Sequence, residues 1–89
     1  AGVMALVEEV AFRRLDQRLA DSLAKRFAKL GGSTAEIITT HEAIAVDLGS
    51  SREVISRLLK EFQRQGAVEL GRGRIGLRDA RVLAGLGSG

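Results

Sequence analysis

Gly49-Ser50-Ser51-Arg52-Glu53-Val54-Ile55-Ser56-Arg57-Leu58-Leu59-Lys60-Glu61-Phe62 reads as a tight turn, a helix cap and an amphipathic helix. At about 100° per residue, Ile55, Leu58, Leu59 and Phe62 fall on one side of that helix, within roughly 100° of each other. Arg52, Glu53, Ser56, Arg57 and Lys60 fall on the opposite side, within roughly 140°. The spacing therefore predicts a helix with a core stripe behind and a stripe of long hydrogen-bonding side chains in front. Such a helix can be held from behind while its front enters a DNA groove.

The segment before it is its natural partner. Thr40 has the character of an N-cap for a helix over His41–Leu48, with Glu42 in the favourable first turn. Ala43 stands where a full capping box would need Glu or Gln. Ile44, Ala45 and Leu48 supply an inward face, and the small Ala45 permits close approach of a crossing helix. Gly49 closes the helix, because glycine adopts a left-handed backbone at least cost. Ser50 and Ser51 are both candidate caps for the next helix, and Ser50 to Glu53 has capping-box spacing. Helix 41–48, a turn at 49–51 and helix 52–65 together form a helix-turn-helix candidate. Many two-helix corners with a glycine turn bind nothing, so that spacing is only moderately specific.

After Gln65-Gly66 come Val68-Glu69-Leu70, a Gly71-Arg72-Gly73 turn and Arg74-Ile75-Gly76-Leu77. The alternation predicts a β-hairpin with Val68, Leu70, Ile75 and Leu77 facing inward. Arg72 stands at its tip and Arg74 on its return strand. A hairpin directly after such a helix is a wing; the plainer reading is an edge hairpin kept soluble by arginines. Asp79 is a cap for a short helix to about Leu86, and Gly85, Gly87 and Gly89 predict a mobile tail.

Upstream, Val3 to Lys29 has no proline or glycine and can be helical throughout. Its apolar face changes side, however. Val3, Leu6, Val7 and Val10 cluster roughly half a turn from Phe12, Leu15, Leu19, Leu23 and Phe27. Either a straight helix meets two partners, or a hinge lies near Phe12–Asp16 with Asp16 as the cap of a second helix. Residues 15–30 should pack on the rest of the chain, and residues 3–11 on a second subunit or another domain, unless they are a frayed helix start. Gly31-Gly32-Ser33 ends this helix. Ile37-Ile38 is β-prone but too short for more than a small strand.

Bulk properties exclude several function classes. The 89 residues suit one small domain. Without cysteine there is no disulfide framework, thiolate metal site or cysteine nucleophile, and one histidine, His41, cannot build a metal site alone. No apolar run approaches membrane-spanning length, and the first residues lack a signal-peptide pattern, so an intracellular, cytoplasmic location is expected. No phosphate-binding loop motif is present. His41 with Ser50 or Ser51 makes no catalytic set, so no enzyme activity is expected. His41, at a helix N-terminus, is expected to be exposed, with phosphate contact as a secondary role.

Net charge is +3, unevenly spread: residues 31–49 carry −3, and residues 1–30, 50–66 and 67–89 carry +2 each. Positive charge thus sits on the amphipathic helix and on the segment after it, a mild hint of an anionic partner. The polar stripe is more telling, because its residue types match base edges. Arginine can donate twice to guanine, and glutamate can accept from cytosine N4. A glutamate facing DNA repels phosphates, so Glu53 beside Arg52 and Arg57 points to base reading rather than charge attraction alone. The alternative is an Arg57–Glu53 pair at four-residue spacing on a solvated face.

Thr40–Leu48, Gly49, the Ser51-Arg52-Glu53-Val54-Ile55-Ser56-Arg57-Leu58-Leu59-Lys60 run, Gly66 and the hairpin through Ile75 to Asp79 resemble the C-terminal winged-helix domain of the Crp/Fnr family. These are bacterial transcription regulators related to the cyclic-AMP receptor protein. Val10-Ala11-Phe12 to Leu15-Asp16-Gln17-Arg18-Leu19-Ala20 resembles the junction with the family's dimerisation helix. The resemblance implies a mainly α fold with a small β-hairpin: a winged helix-turn-helix preceded by a long or hinged N-terminal helix. It implies residues 1–14 as the end of an upstream dimerisation or linker helix and 15–89 as the DNA-binding domain. It implies that Arg52, Glu53 and Arg57 read bases of a GTGA-type half-site in double-stranded DNA, with Ser56 refining the choice. Thr40, His41, Ser51, Lys60 and the wing around Arg72, with Arg74, would lie near phosphates. The implied partners are DNA, a second copy through the upstream helix, and RNA polymerase. No cofactor is implied for this chain; the family's effector-binding β-barrel is absent from it, so the effector is unspecified. The competing class is a winged helix serving protein interaction or dimerisation without specific DNA binding.

Overall fold

The computed structural model describes the backbone of residues 2–31 and 35–88 and the side chains of residues 15–31 and 35–87. The elements follow one another as α1 (Gly2–Leu30), β1 (Glu36–Ile38), α2 (His41–Leu48), α3 (Arg52–Arg64), β2 (Val68–Gly71), β3 (Arg74–Leu77) and α4 (Ala80–Ser88). The strands form one antiparallel sheet in the order β1-β3-β2. A single core draws on every one of these elements: Leu19, Leu23 and Phe27 from α1 meet Ile37, Ile44, Ile55, Leu58, Leu59, Phe62, Val68, Ile75 and Leu83.

In α1 the helical spacing Leu19, Leu23, Phe27 is fully buried, with Leu15 half-buried at its start. The backbone runs as one helix through Phe12–Asp16. Asp16 consequently lies inside the helix and caps nothing. Its Oδ1 is buried without a hydrogen-bond partner, and burial, then the Glu61 carboxylate, raise its pKa. The stripe of Val3, Leu6, Val7 and Val10, and Phe12, lies outside the described side chains, and Gly32 and Ser33 outside the described residues.

The corner between α2 and α3 is built from its caps. Thr40 Oγ1 accepts from Ala43 N at 3.1 Å, satisfying an otherwise orphan helical donor. At the far end Ser50 N donates to Ala45 O at 2.8 Å and Gly49 N to Val46 O at 3.3 Å, the paired closure of a Schellman motif. That closure needs a left-handed residue, and Gly49 supplies it with φ 67° and ψ 37°. Of the two candidate serines, Ser51 caps α3, accepting from Val54 N at 3.3 Å. The capping-box alternative from Ser50 is therefore not used. A Cβ at Gly49 would meet nothing within 4 Å, so Gly49→Ala meets only backbone strain. Its expected cost is about 1–2 kcal/mol, read from denaturant midpoints at unchanged slope.

Helix α3 ends at Arg64, one residue short of the expected limit, with Gln65 as its C-cap. The hairpin pairs Val68 with Leu77 and Leu70 with Ile75, so the four inward residues stack across the strands. The β-prone Ile37-Ile38 pair forms a small strand of three residues, as its length allowed, and its pairing with β3 gives the wing a third strand that the sequence did not disclose. Ile37 lies opposite Ile75 in β3, and the ladder is extended by Leu77 N to Ala35 O at 2.9 Å and Thr39 N to Gly73 O at 3.1 Å. The wing is thereby stitched to the entrance of α2.

Asp79 caps α4 as expected, accepting from Arg81 N at 2.9 Å and Val82 N at 3.3 Å. Helix α4 contains Gly85, as expected, and continues two residues past the expected limit near Leu86, through Gly87 to Ser88. A Cβ on Gly87 would come within 3.4 Å of Asp21 N and 3.7 Å of the Ala20 methyl. Close packing of α4 on α1 thus overrides the weak helix propensity of glycine.

Candidate nucleic-acid interface

Helix α3 divides as its periodicity requires. Ile55, Leu58, Leu59 and Phe62 are at most 2 % exposed, whereas Arg52, Glu53, Arg57 and Lys60 are exposed on the other side and Ser56 is half-buried. With Ser51, these five line one open groove of about 580 Å³. A second hollow of about 370 Å³ lies between the N-terminus of α2 and the wing tip. Thr39, Thr40, His41, Glu42, Arg52 and Arg72 line it with the glycines of the tip. Arg52 borders both, so the two hollows share a wall.

Nine of the ten sequence-predicted site residues line these two surfaces. Arg74 is the exception. Its Nη1 lies 3.5 Å from Glu36 Oε2 across the β1–β3 ladder. Both side chains are exposed, so the pair contributes little and a stronger anion can displace Glu36.

Among the described residues, Arg52, Glu53, Arg57, Lys60 and Arg72 take part in no ion pair, and no Glu53–Arg57 pair forms. Other charges are engaged: Arg26 with Asp47 at 2.7 Å, Lys25 with Asp21 at 3.0 Å, and Arg64 with Glu61. Hydrogen bonds from Arg64 and Gln65 pull the Glu61 carboxyl down to about 2. That acidic group is neutralised locally at the end of α3, whereas Glu53 stays open to the groove. Glu42 also faces the second hollow; it complements the N-terminus of α2 but opposes an incoming phosphate.

The capping hydroxyls keep a further capacity. Thr40 and Ser51 each spend a lone pair on a backbone N–H, so their own hydroxyl protons remain to be donated. His41 departs from the exposed position expected of it. It is half-buried, and its Nδ1 lies 2.7 Å from Ser56 Oγ. Burial first, then the charges of Arg52 and Lys60, lower its pKa, so the ring is neutral near pH 7.

Gln63 was not singled out by sequence. Its Oε1 accepts from Leu70 N at 2.7 Å, tying β2 to the end of α3 and setting the wing's position relative to the groove. No local pattern signals that contact. Among the described residues no group of three or more His, Asp or Glu side chains could hold a metal, and no helix is long and apolar enough to cross a membrane.

A helix-turn-helix with a charged front on its second helix and a stitched three-stranded sheet beside it defines a winged helix. The chain belongs to the Crp-like helix-turn-helix domain family, whose sequence pattern matches residues 17–86. It is similar to the transcriptional regulator SdrP of Thermus thermophilus, with 30% identity over 81 residues. That match covers 86% of this chain and 40% of SdrP. Among solved structures, a Crp/Fnr-family regulator from Eubacterium rectale matches with TM-score 0.78 and 42% identity, over 98% of this chain and 39% of that one. The catabolite activator protein of Thermus thermophilus matches with TM-score 0.81 and 26% identity, over 98% of this chain and 40% of that one. The chain thus spans about two fifths of the length of these relatives. They are regulators of transcription rather than enzymes, and membership in this family implies DNA binding for transcription regulation.

Proposed function

We propose that the chain reads double-stranded DNA sequence with α3 in the major groove, entering by its N-terminal end. Arg52, Glu53, Ser56 and Arg57 contact base edges of a GTGA-type half-site. Thr40, His41, Ser51, Lys60, Arg72 and Arg74 contact phosphates on either side. Residues 1–14 end an upstream helix through which two copies pair, so that two half-sites are read together, and residues 15–89 form the DNA-binding domain. RNA polymerase is a further partner of the parent protein, in the bacterial cytoplasm. The observation that carries this reading is the front of α3, where two arginines and a glutamate stand exposed and unpaired over a fully buried back.

Lysine and arginine heads call for salt-dependent binding. Duplex titrations over a range of salt should give a linear log–log fall in affinity. Lys60→Ala should weaken selected and random duplexes by similar factors and reduce the salt slope by about one. Duplex affinity independent of salt, or absent, would favour the protein-interaction reading instead.

A further inference from the structure

The His41–Ser56 contact joins two residues assigned separately to phosphate and to base. It bridges the first residue of α2 and the second turn of α3 at 2.7 Å. A lone serine is an ambivalent reader of bases, because its hydroxyl has one proton to give, two lone pairs to offer and free rotation. His41 removes that ambivalence, in a direction set by which ring nitrogen carries the proton.

We infer that His41 is a positioning residue that couples a backbone phosphate to Ser56, holding the Ser56 hydroxyl as an acceptor toward the groove and so selecting an exocyclic amine, of cytosine or adenine, at the base step it faces. The inference rests on the DNA-binding reading above. With Nδ1 turned to Ser56, Nε2 is the ring nitrogen left for the hollow that His41 lines with Thr40, Arg52 and Arg72. An anion seated there accepts a hydrogen bond from Nε2–H, which keeps the ring proton on Nε2. Nδ1 is then bare and accepts the Ser56 proton, because the hydrogen bond at one imidazole nitrogen sets the state of the other. Ser56 Oγ is left with lone pairs only. Arg52 and Lys60 of α3 and Arg72 of the wing oppose a second proton on the ring, while Glu42 on its own helix favours one. Burial sides with the cations.

The test is a double-mutant cycle in the full chain, with His41→Leu, Ser56→Ala, both together, and His41→Asn, whose Oδ1 can stand in for Nδ1. Affinities are compared over duplexes that differ only at the step where Ser56→Ala relaxes discrimination. His41→Leu should lose discrimination at that step by the same factor as Ser56→Ala, about 3- to 10-fold for one neutral hydrogen bond. The double variant should lose no more than either single variant, since the two residues act as one unit. His41→Asn should restore the preference. A His41→Leu chain that binds every duplex more weakly by one factor, with discrimination intact, overturns the inference, as does additivity in the cycle. Should His41→Leu not fold, the ¹⁵N shifts of the wild-type imidazole on DNA decide: the Nε2–H tautomer is expected, and the Nδ1–H tautomer contradicts it. A wild-type chain that discriminates among no duplexes removes the DNA-reading proposal and this inference together. A discriminating wild type with His41→Leu unchanged removes this inference alone.

Discussion

Phe62→Ala is expected to cost about 3–5 kcal/mol and to lower the melting temperature by roughly 15–30 °C, followed by circular dichroism. Phe62 is 1% exposed and belongs to the cluster that joins α1, α2, α3, the sheet and α4. Its loss leaves a cavity where α3 rests on everything behind it. A domain of this size has a stability near the low end of about 5–15 kcal/mol, so most of it disappears. The functional consequence follows directly, since a helix no longer held from behind cannot present its front. A loss below about 1 kcal/mol would mean that the back of α3 is not packed as described.

Arg57→Ala is expected to weaken binding to a selected duplex by about 1–3 kcal/mol, with little effect on random duplexes beyond one lost charge. Preference at a G·C pair should relax at the same time. The absence of a Glu53–Arg57 ion pair makes the experiment clean. Removing the guanidinium frees no carboxylate that was previously neutralised within the protein. Equal losses on selected and random sequences would confine Arg57 to charge attraction.

The recognition helix was legible because its signals are local. Ile55, Leu58, Leu59 and Phe62 follow helical spacing, and all four are buried. Thr40, Gly49 and Asp79 act as the caps their types suggest; the choice between Ser50 and Ser51, and the choice between a hinge capped by Asp16 and one continuous helix, required the structure. What sequence did not disclose lies between residues far apart along the chain. The pairing of β1 with β3 joins segments almost forty residues apart, with only three residues of β1 to announce it. Likewise, His41 to Ser56, Gln63 to Leu70 and Arg74 to Glu36 are tertiary contacts on which a 3.6-residue period carries no information. The helix end near Gly87 was set too early for a different reason. The weak propensity of glycine is real, but the lack of a side chain at Gly87 is what allows α4 to lie against Ala20 and Asp21.

Three of these contacts share a consequence. The β1–β3 pairing, His41–Ser56 and Gln63–Leu70 hold the wing, the entrance of α2 and the polar side of α3 to one another, so the surface proposed to meet DNA is preformed. Preorganisation of this kind favours discrimination, because a misplaced arginine or serine could adapt to the wrong base.

That α3 reads base sequence is tested most directly by selecting bound molecules from a random duplex pool at about physiological salt. The expected result is an enriched motif containing a GTGA-type half-site, repeated with two-fold symmetry when two copies pair through the upstream helix. A bound pool with the same base composition and order as the starting pool would contradict it.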